Sequence, residues 1–496
     1  MVDTVPAKDT ADEKGTAPRN IVVFSDGTGQ AGGILVDEAR SNVYKLFRAT
    51  RCGPDTAIDP DKQIAFYDPG LGSALAGEGI RIGVARKVYN ALSSATGLGI
   101  SRNIIDCYAA LIQLWRPGDR IFLFGFSRGA YTVRCLGGVL GLCGIPTKMP
   151  DGSALLRDPV TCRGIAKEAI GRVYSRGSGI DDHGQEKDKA RKARLGEQRQ
   201  ALGAQFREQY GSQAPEGSNA VPYFIGVWDT VAAVGLSAPA MAVVKWATPG
   251  LAIVASFIMG WIAAPVGNVA FWVWFAGTLA TLGIVGLATY VALRIKFVTD
   301  LPGVRTWDTM HLMSLRMSFF DRSLNKRVRY ARHALAIDEA RADFDRVPWV
   351  TDVGASQHDL DDTSWFQQVW FAGNHSDIGG SYPENESRLS DIALEWMAKE
   401  ARTAGLLVDE HYLRPAGRAL GPQHDECRMG VPILWWRYIW RKQTREIKDN
   451  AVLHETVLER FQATHIVGVD QDCAYRPDNL RTHAQCRTFY ATSDCA

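Results

Sequence analysis

The sequence lacks several features that would assign it to a common class of protein. Its formal net charge is only +2, from 56 Lys and Arg residues against 54 Asp and Glu residues, so nucleic acid is not favoured as a partner. Its Cys and His residues show no zinc-type pairing, and no metal or cofactor is predicted. The N-terminus is polar, without the apolar core of a secretory signal, and we interpret residues 1–18 as a flexible tail.

One long stretch lacks charge altogether. Between Lys245 and Arg294 two apolar runs are separated by the turn-forming sequence PVGN. Each run is long enough to cross a bilayer, which takes about 20 residues. We therefore predict a two-helix transmembrane hairpin over residues 241–296, and the basic residues that flank it favour a cytoplasmic position for both ends. A soluble apolar lid, or a pair of core helices, is the alternative.

Elsewhere, apolar runs such as IVVF, IFLF and YFIGVW alternate with helical patterns. This alternation predicts an α/β fold, a mostly parallel sheet with helices on both faces. Residues 19–240 and 297–405 are expected to form the two parts of this domain, and residues 406–496 a C-terminal extension. Residues 328–344 have a helical pattern, whereas the Trp- and Arg-rich residues 431–448 suit either a membrane surface or a packed helix.

The segment FLFGFSRGAY places a serine at the end of an apolar strand. Ser127 lies between Gly125 and Gly129 in the pattern G-x-S-x-G, which is typical of a nucleophile elbow when a strand precedes it and a helix follows. Glycines suit both positions because the turn is too sharp for side chains beside the serine. An ordinary tight turn is the alternative, but the flanking strand and helix favour a nucleophile.

A serine nucleophile needs a base, and the base needs an acid that orients it. Asp229 ends the predicted strand YFIGVW, and His375 follows another strand, so Ser127, Asp229 and His375 occur in the chain order found in α/β-hydrolases. Asp229 also suits a turn or helix cap, and His375 a loop histidine bonded to the backbone. Asp377 and His333 are rival candidates, although His333 falls within the predicted helix.

An oxyanion formed during acyl transfer needs two N–H donors. Arg128 follows the nucleophile directly and is expected to supply one through its backbone. The loop SDGTG, which ends the first strand, is expected to supply the other from Gly27 or Thr28. Asp26 would oppose an adjacent oxyanion, so we expect its carboxylate to hold the loop by accepting N–H bonds.

Six segments together resemble the DUF2235 family: VVFSDGTG, FYDPGLGS, PGDRIFLFGFSRGAYTVR, FIGVWDTVAAVG, RHALAIDEAR and VWFAGNHSDIGGSY. This family of α/β-hydrolases includes the catalytic domain of type VI secretion phospholipase effectors of the Tle1 kind. The resemblance covers residues 19–405 apart from the apolar hairpin. It implies a Ser-Asp-His triad, matched here by Ser127, Asp229 and His375, and hydrolysis of esters in phospholipids or similar lipids. An effector would also imply an immunity or secretion partner.

The chain order of the candidate residues constrains the topology of a membrane protein. Asp229 precedes the apolar stretch and His375 follows it, so an even number of crossings must separate them if they share one active site. We therefore expect a bacterial membrane enzyme that cleaves membrane lipids, or a secreted effector. A non-catalytic scaffold on a hydrolase-like fold and a soluble esterase or thioesterase with an apolar lid are the alternative interpretations.

Overall fold

Six parallel strands form the central sheet of the computed structural model. The structure describes residues 18–27, 30, 39–70, 98–176, 186–231, 238–267, 270–296, 305–312, 324–344, 346–349, 365–429, 431–433, 436–438, 440–466 and 474–490. In chain order the strands of the sheet are β1 (Asn20–Ser25), β2 (Gln63–Asp68), β3 (Arg120–Phe126), β4 (Phe224–Trp228), β5 (Tyr330–Ala336) and β6 (Phe366–Phe371). The predicted parallel sheet is confirmed.

The strand order across the sheet is β6-β5-β4-β3-β1-β2. The direction in which successive strands are added therefore reverses beside β1 and β3. In parallel sheets, ligands bind at such a switch point, outside the carboxyl ends of the strands. The chain segments that follow β1, β3, β4 and β6 at this edge carry the candidate site residues.

Helices pack on both faces of the sheet, and the described residues contain twelve α-helices in all. They are α1 (Asn42–Thr50), α2 (Leu98–Leu114), α3 (Arg128–Cys143), α4 (Pro159–Glu168), α5 (Glu186–Tyr210), α6 (Ala238–Gly267), α7 (Phe271–Arg294), α8 (His375–Gly379), α9 (Arg388–Thr403), α10 (Glu426–Met429), α11 (Glu455–Gln462) and α12 (Arg487–Tyr490). One buried cluster joins the sheet to α2, α3 and α4, and a second joins its other face to α1 and α9. The layered α/β architecture predicted from the sequence is thus confirmed.

Short elements connect the main layers. A π-helix continues α4 over Ala169–Tyr174. Short 3-10 helices are formed by Thr306–Thr309, Ala342–Phe344, Glu384–Glu386 and Asp478–Leu480. Among the described residues, three two-stranded antiparallel ribbons pair Gln213–Ala214 with Gly217–Ser218, Ile295–Lys296 with His311–Leu312, and Val431–Ile433 with Trp436–Tyr438.

The predicted helix over residues 328–344 is wrong, because Tyr330–Ala336 forms β5 inside the sheet. β5 is hydrogen-bonded to β4 on one side and to β6 on the other, and nearly all of its side chains are buried. Its three alanines favour a helix when considered alone. Burial between two neighbouring strands overrides that local preference.

The C-terminal extension packs on the sheet, and the packed helix that was one of two alternatives for residues 431–448 is not found in their described part. Its described part there contains the short antiparallel pair Val431–Ile433 and Trp436–Tyr438. Farther on, Val457 and Phe461 of α11 are fully buried in a cluster with Leu335 and Trp370 of the sheet. Burial of these apolar side chains holds the extension against β5 and β6.

The apolar segment forms two neighbouring helices, α6 and α7, but the predicted pair of transmembrane spans is not supported. Within the described residues only Phe271–Ala292 of α7 is long and apolar enough to cross a membrane, with a mean hydropathy of 1.7. The apolar part of α6 is confined to Pro249–Pro265. At 1.5 Å per residue it reaches about 25 Å, less than the bilayer core of about 30 Å.

Candidate active site

Ser127 forms the corner between β3 and α3. Its backbone has φ 58° and ψ −122°, a conformation that residues other than glycine seldom adopt. Its N–H donates to the carbonyl oxygen of Trp228 at 3.1 Å, which ties the corner to the end of β4. The helix begins at Arg128, so N–H groups of its first turn lie beside the serine.

Gly125 and Gly129 permit this corner through close backbone contacts. A Cβ added to Gly125 would lie 2.5 Å from the carbonyl oxygen of Gly129. A Cβ added to Gly129 would lie 2.0 Å from the carbonyl oxygen of Ser25 at the end of β1. Any larger residue at either position would therefore push the strand, the helix or the β1 loop apart.

Asp229 follows β4 and its side chain is fully buried. Like Ser127 it has a positive φ, here 38°. Its N–H donates to the carbonyl oxygen of Ala334, and its Oδ1 accepts a hydrogen bond from the N–H of Ala336 at 3.1 Å. Its Oδ2 lies 2.5 Å from Nδ1 of His375. The structure thus brings together the predicted acid and the predicted base.

His375 is the first residue of the short helix α8, which follows β6. Asn374 caps this helix in a capping box with Asp377. Aromatic rings border the imidazole on two sides, with centroid distances of 4.6 Å to Phe126 and 5.2 Å to Phe344. Phe126 immediately precedes Ser127, so this packing places the imidazole next to the nucleophile elbow.

Burial and nearby positive charges have opposing effects on the pKa values of Asp229 and Glu339, the two carboxylates that contact His375. Burial raises the pKa of Asp229, but Arg445 and His375 outweigh it and hold this pKa far below its usual value. Burial likewise raises the pKa of Glu339, but its hydrogen bonds and ion pair with Arg341 lower it overall. Glu339 also accepts the backbone N–H of His375 at 3.2 Å. Both carboxylates are therefore ionised at neutral pH.

The structure describes two of the three residues predicted for the oxyanion hole, Arg128 and Gly27. Arg128 begins α3 beside the elbow, and burial lowers the pKa of its guanidinium to about 10, so it stays cationic at neutral pH. Thr28 lies outside the described residues. The N–H of Gly27 donates to Oδ1 of Asp26 at 2.6 Å, which occupies the donor that the sequence analysis assigned to an oxyanion.

Asp26 organises the loop after β1. Its Oδ2 accepts hydrogen bonds from the hydroxyls of Ser41 and Tyr67, each at 2.6 Å. Ser41 is in turn the N-cap of α1, since its hydroxyl oxygen accepts the N–H of Tyr44. The carboxylate therefore ties the loop next to Gly129 to α1 and β2, as expected for a residue that holds the loop in place.

The two rival candidates lie in other environments. His333 is on β5, fully buried, and burial lowers its pKa to about 3. Its Nε2 accepts the N–H of Thr230 at 3.3 Å, and its Nδ1 lies 3.3 Å from Gln368, so both ring nitrogens have protein partners. The carboxylate of Asp377 accepts one hydrogen bond from the N–H of Asn374 and lies 2.8 Å from Nδ1 of His424.

Two charged residues of this region were missed by the sequence analysis, Glu339 and Arg445. Arg445 forms a two-point ion pair with Asp229, with distances of 2.6 and 3.0 Å. Glu339 has a weak sequence signal, since it follows a strand of the sheet by three residues. Arg445 has none, because it lies far along the chain in the C-terminal extension.

The arrangement can perform acid and base chemistry at a serine. An ionised carboxylate orients Nδ1 of an imidazole, which leaves Nε2 to exchange a proton with a hydroxyl. Within the part of the chain that the structure describes, no group of three or more His, Cys, Asp and Glu side chains could hold a metal ion.

The chain was compared with known families, curated proteins and solved structures. The family described as "T6SS, Phospholipase effector Tle1-like, catalytic domain" matches residues 19–255 and 267–400. An uncharacterized protein from Saccharomyces cerevisiae is 33% identical over 135 residues, which cover 26% of this chain and 18% of that protein. The chain thus spans less than a fifth of this curated relative.

Two solved structures are similar at low sequence identity. An uncharacterized protein from Pseudomonas aeruginosa is 16% identical, with a TM-score of 0.32, over 81% of this chain and 48% of that chain. The Tle1 effector was solved bound to the VgrG spike of the type 6 secretion system. It is 14% identical, with a TM-score of 0.31, over 79% of this chain and 74% of that chain.

Proposed function

The chain belongs to the family of Tle1-like catalytic domains of type VI secretion phospholipase effectors, and on that premise we propose that it hydrolyses ester bonds of phospholipids with Ser127, His375 and Asp229 as a catalytic triad. One observation carries the proposal. Oδ2 of Asp229 lies 2.5 Å from Nδ1 of His375, at the sheet edge where Ser127 forms a strained corner. An acid–base pair at the sheet edge that carries this serine supports the proposed triad.

The proposed reaction begins with Ser127. Its Oγ attacks the acyl carbonyl carbon, and its proton passes to Nε2 of His375 while Nδ1–H remains bonded to Asp229. The tetrahedral intermediate then collapses, the bond from carbon to the leaving oxygen breaks, and the imidazolium protonates the leaving alcohol. Water attacks the acyl-enzyme with the same proton transfers, which releases a fatty acid and restores Ser127.

The backbone N–H of Arg128 is the proposed donor to the oxyanion, because it opens the helix directly after the nucleophile. Thr28 remains the predicted second donor. The N–H of Gly27 is not included, since Asp26 accepts it. The cationic side chain of Arg128 favours a substrate that carries a phosphate near the scissile ester.

We also propose that α6 and α7 bring the enzyme to a membrane. Large apolar side chains cover their outer surfaces, and examples are Trp261 at 73% exposure, Trp272 at 69% and Ile284 at 68%. A single crossing by α7 would separate His375 from Asp229, which the contact between them excludes. We therefore propose that the two helices attach to one side of the membrane and do not span it.

The family also suggests a biological setting. Type VI effectors are secreted proteins, so we propose that this chain acts on a membrane outside the cell that makes it, with a secretion partner and an immunity partner. The scaffold and the soluble esterase remain the alternatives that an experiment must separate.

The test uses the full chain in detergent, added to mixed phospholipid vesicles, with mass spectrometry of the products. Wild type is compared with Ser127→Ala and with Ser153→Ala, which removes an exposed hydroxyl distant in sequence from the elbow. We expect fatty acid and lysolipid from wild type and Ser153→Ala, and none from Ser127→Ala. Products that persist in Ser127→Ala would overturn the proposed nucleophile.

Labelling with a fluorophosphonate separates the alternatives. A chain that neither releases products nor is labelled at Ser127 would support the scaffold. A chain that is labelled and cleaves short soluble esters, but leaves phospholipids intact, would support the soluble esterase.

A further inference from the structure

We propose that Arg445 is a positioning residue of the active site, and that the C-terminal extension therefore completes the catalytic centre. The inference rests on the proposed serine hydrolase mechanism and extends it to a residue outside the family match, which ends at residue 400. It concerns the geometry and the charge of the acid that orients His375.

The guanidinium of Arg445 meets the carboxylate of Asp229 with both of its terminal nitrogens. Nη1 donates to Oδ1 at 2.6 Å, and Nη2 donates to Oδ2 at 3.0 Å. Two parallel hydrogen bonds fix the plane of a carboxylate as well as its position. Oδ2 is also the oxygen that faces Nδ1 of His375, so the arginine sets the direction from which the imidazole is held.

The arginine is itself held in place. Nη1 also donates to the carbonyl oxygen of Ala336, and Nη2 to that of Phe344, at 3.1 and 2.8 Å. Ala336 ends β5, and Phe344 contacts the ring of His375. The guanidinium therefore spans the carboxylate, the sheet and the wall of the imidazole site, and it has little freedom to rotate.

Burial makes the charge of Arg445 necessary at this place. The side chain of Asp229 is fully buried and that of Arg445 is only 3% exposed. A carboxylate without water and without a cation would take up a proton and would no longer accept Nδ1–H of His375. Arg445 keeps the carboxylate ionised before the imidazole has received a proton from the serine.

The extension that carries Arg445 has its own anchorage. Beyond it, Ile447, Val457 and Phe461 are buried with Leu335 of β5. These contacts do not require the ion pair, so the extension is expected to remain docked when Arg445 is replaced. Loss of positioning can therefore be measured apart from loss of folding.

Arg460 provides a matched control in the same extension. Its side chain is fully buried, like that of Arg445, and it donates to the carbonyl oxygens of Ala419 and Gly421. Its other partners are Oε1 of Gln423, to which it donates, and the ring of Tyr475, over which its guanidinium lies. A general effect of losing a buried arginine would appear equally at both positions.

The experiment measures hydrolysis of p-nitrophenyl butyrate by the full chain in detergent, with active sites titrated by a fluorophosphonate. The variants are Arg445→Gln, Arg445→Lys and Arg460→Lys. Misplacing a reacting group by about 1 Å costs up to about 100-fold. We expect kcat per titrated site to fall about 100-fold in Arg445→Gln and about 10-fold in Arg445→Lys, with KM within about two-fold of wild type, because lysine restores the charge but not the two-point geometry.

Arg460→Lys is expected to leave kcat per titrated site within two-fold of wild type. Unchanged kcat per titrated site in either Arg445 variant would overturn the inference. If Arg445→Gln does not fold, Arg445→Lys alone decides the test. An equal loss in Arg460→Lys would also overturn it. A wild-type chain that is neither labelled nor active would instead refute the proposed hydrolase, and the positioning role with it.

Discussion

The ring of Phe126 lies against the imidazole of His375, with centroids 4.6 Å apart, and so joins the residue before the proposed nucleophile to the proposed base. Phe126 is buried at the end of β3, and His375 begins α8 after β6. The contact therefore connects the two loops that must keep a fixed separation during proton transfer.

Replacing Phe126 by Leu should lower kcat about 10-fold with little change in KM, because a smaller side chain no longer fixes the imidazole. The free energy of unfolding should fall by about 1 to 2 kcal/mol. Ester hydrolysis and denaturant unfolding measure the two effects. Phe122→Leu, in the same strand but packed on Tyr223 and Phe224, should lose similar stability and keep its kcat. Equal kcat in both variants would contradict the positioning role of Phe126.

Replacing Ser127 by Gly should abolish activity and raise the free energy of unfolding by about 1 kcal/mol, because glycine relieves the strain of a positive φ. Ser381 also has a positive φ, 92°, and its N–H donates to the carbonyl oxygen of Arg40. Ser381→Gly should therefore gain stability and retain activity. Denaturant unfolding and ester hydrolysis are the measurements, and a less stable Ser127→Gly chain would show that the corner is not strained.

His424 should make stability depend on pH. Burial lowers its pKa, but hydrogen bonds and attraction to Asp377 and Glu386 outweigh this and raise it above the usual value of 6.5. Burial also raises the pKa of Asp377. Because the folded pKa of His424 exceeds the unfolded one, its stabilisation is complete below about pH 6.5 and is lost as pH rises through the folded value.

The free energy of unfolding, measured between pH 5.5 and 8.5, should thus fall by about 1 kcal/mol more in wild type than in His424→Gln, whose amide keeps a neutral hydrogen bond to Asp377. Identical slopes in the two chains would mean that the imidazolium does not stabilise the fold.

Charges on the outer surface of α7 should weaken membrane binding. Ile284 and Leu287 are 68% and 64% exposed. A lysine in a bilayer costs about 3 kcal/mol, so Ile284→Lys and Leu287→Lys should each lower vesicle binding by about 100-fold in a flotation assay. Val160→Lys, at an equally exposed apolar position of α4, should bind like wild type. Binding that is unchanged in the α7 variants would contradict insertion of this helix.

The sequence allowed the sheet edge to be predicted because strand ends are marked locally. β3 and β4 are short apolar runs, and the residues that follow them, Ser127 and Asp229, are polar. A parallel sheet brings such residues to one edge whatever the loops between them contain. The contact of Asp229 with His375 follows from this rule.

What the sequence could not indicate depends on tertiary contacts. His333 was assigned to a helix from alanine spacing, and it lies on β5 because burial between two strands decides its conformation. The apolar length of α6 was overestimated, because only Pro249–Pro265 of this helix is apolar. Arg445 reaches Asp229 only through the packing of the extension, and no local pattern encodes that contact.

The position of Arg445 also has a consequence for biosynthesis. A ribosome adds about 5 to 20 residues per second and begins at the N-terminus, so Ser127, Asp229 and His375 all emerge before Arg445 is made. Until then the buried acid lacks this cation. On the proposed mechanism, a nascent chain would therefore hydrolyse esters much more slowly than the finished protein, and full activity would arise only once the extension has docked.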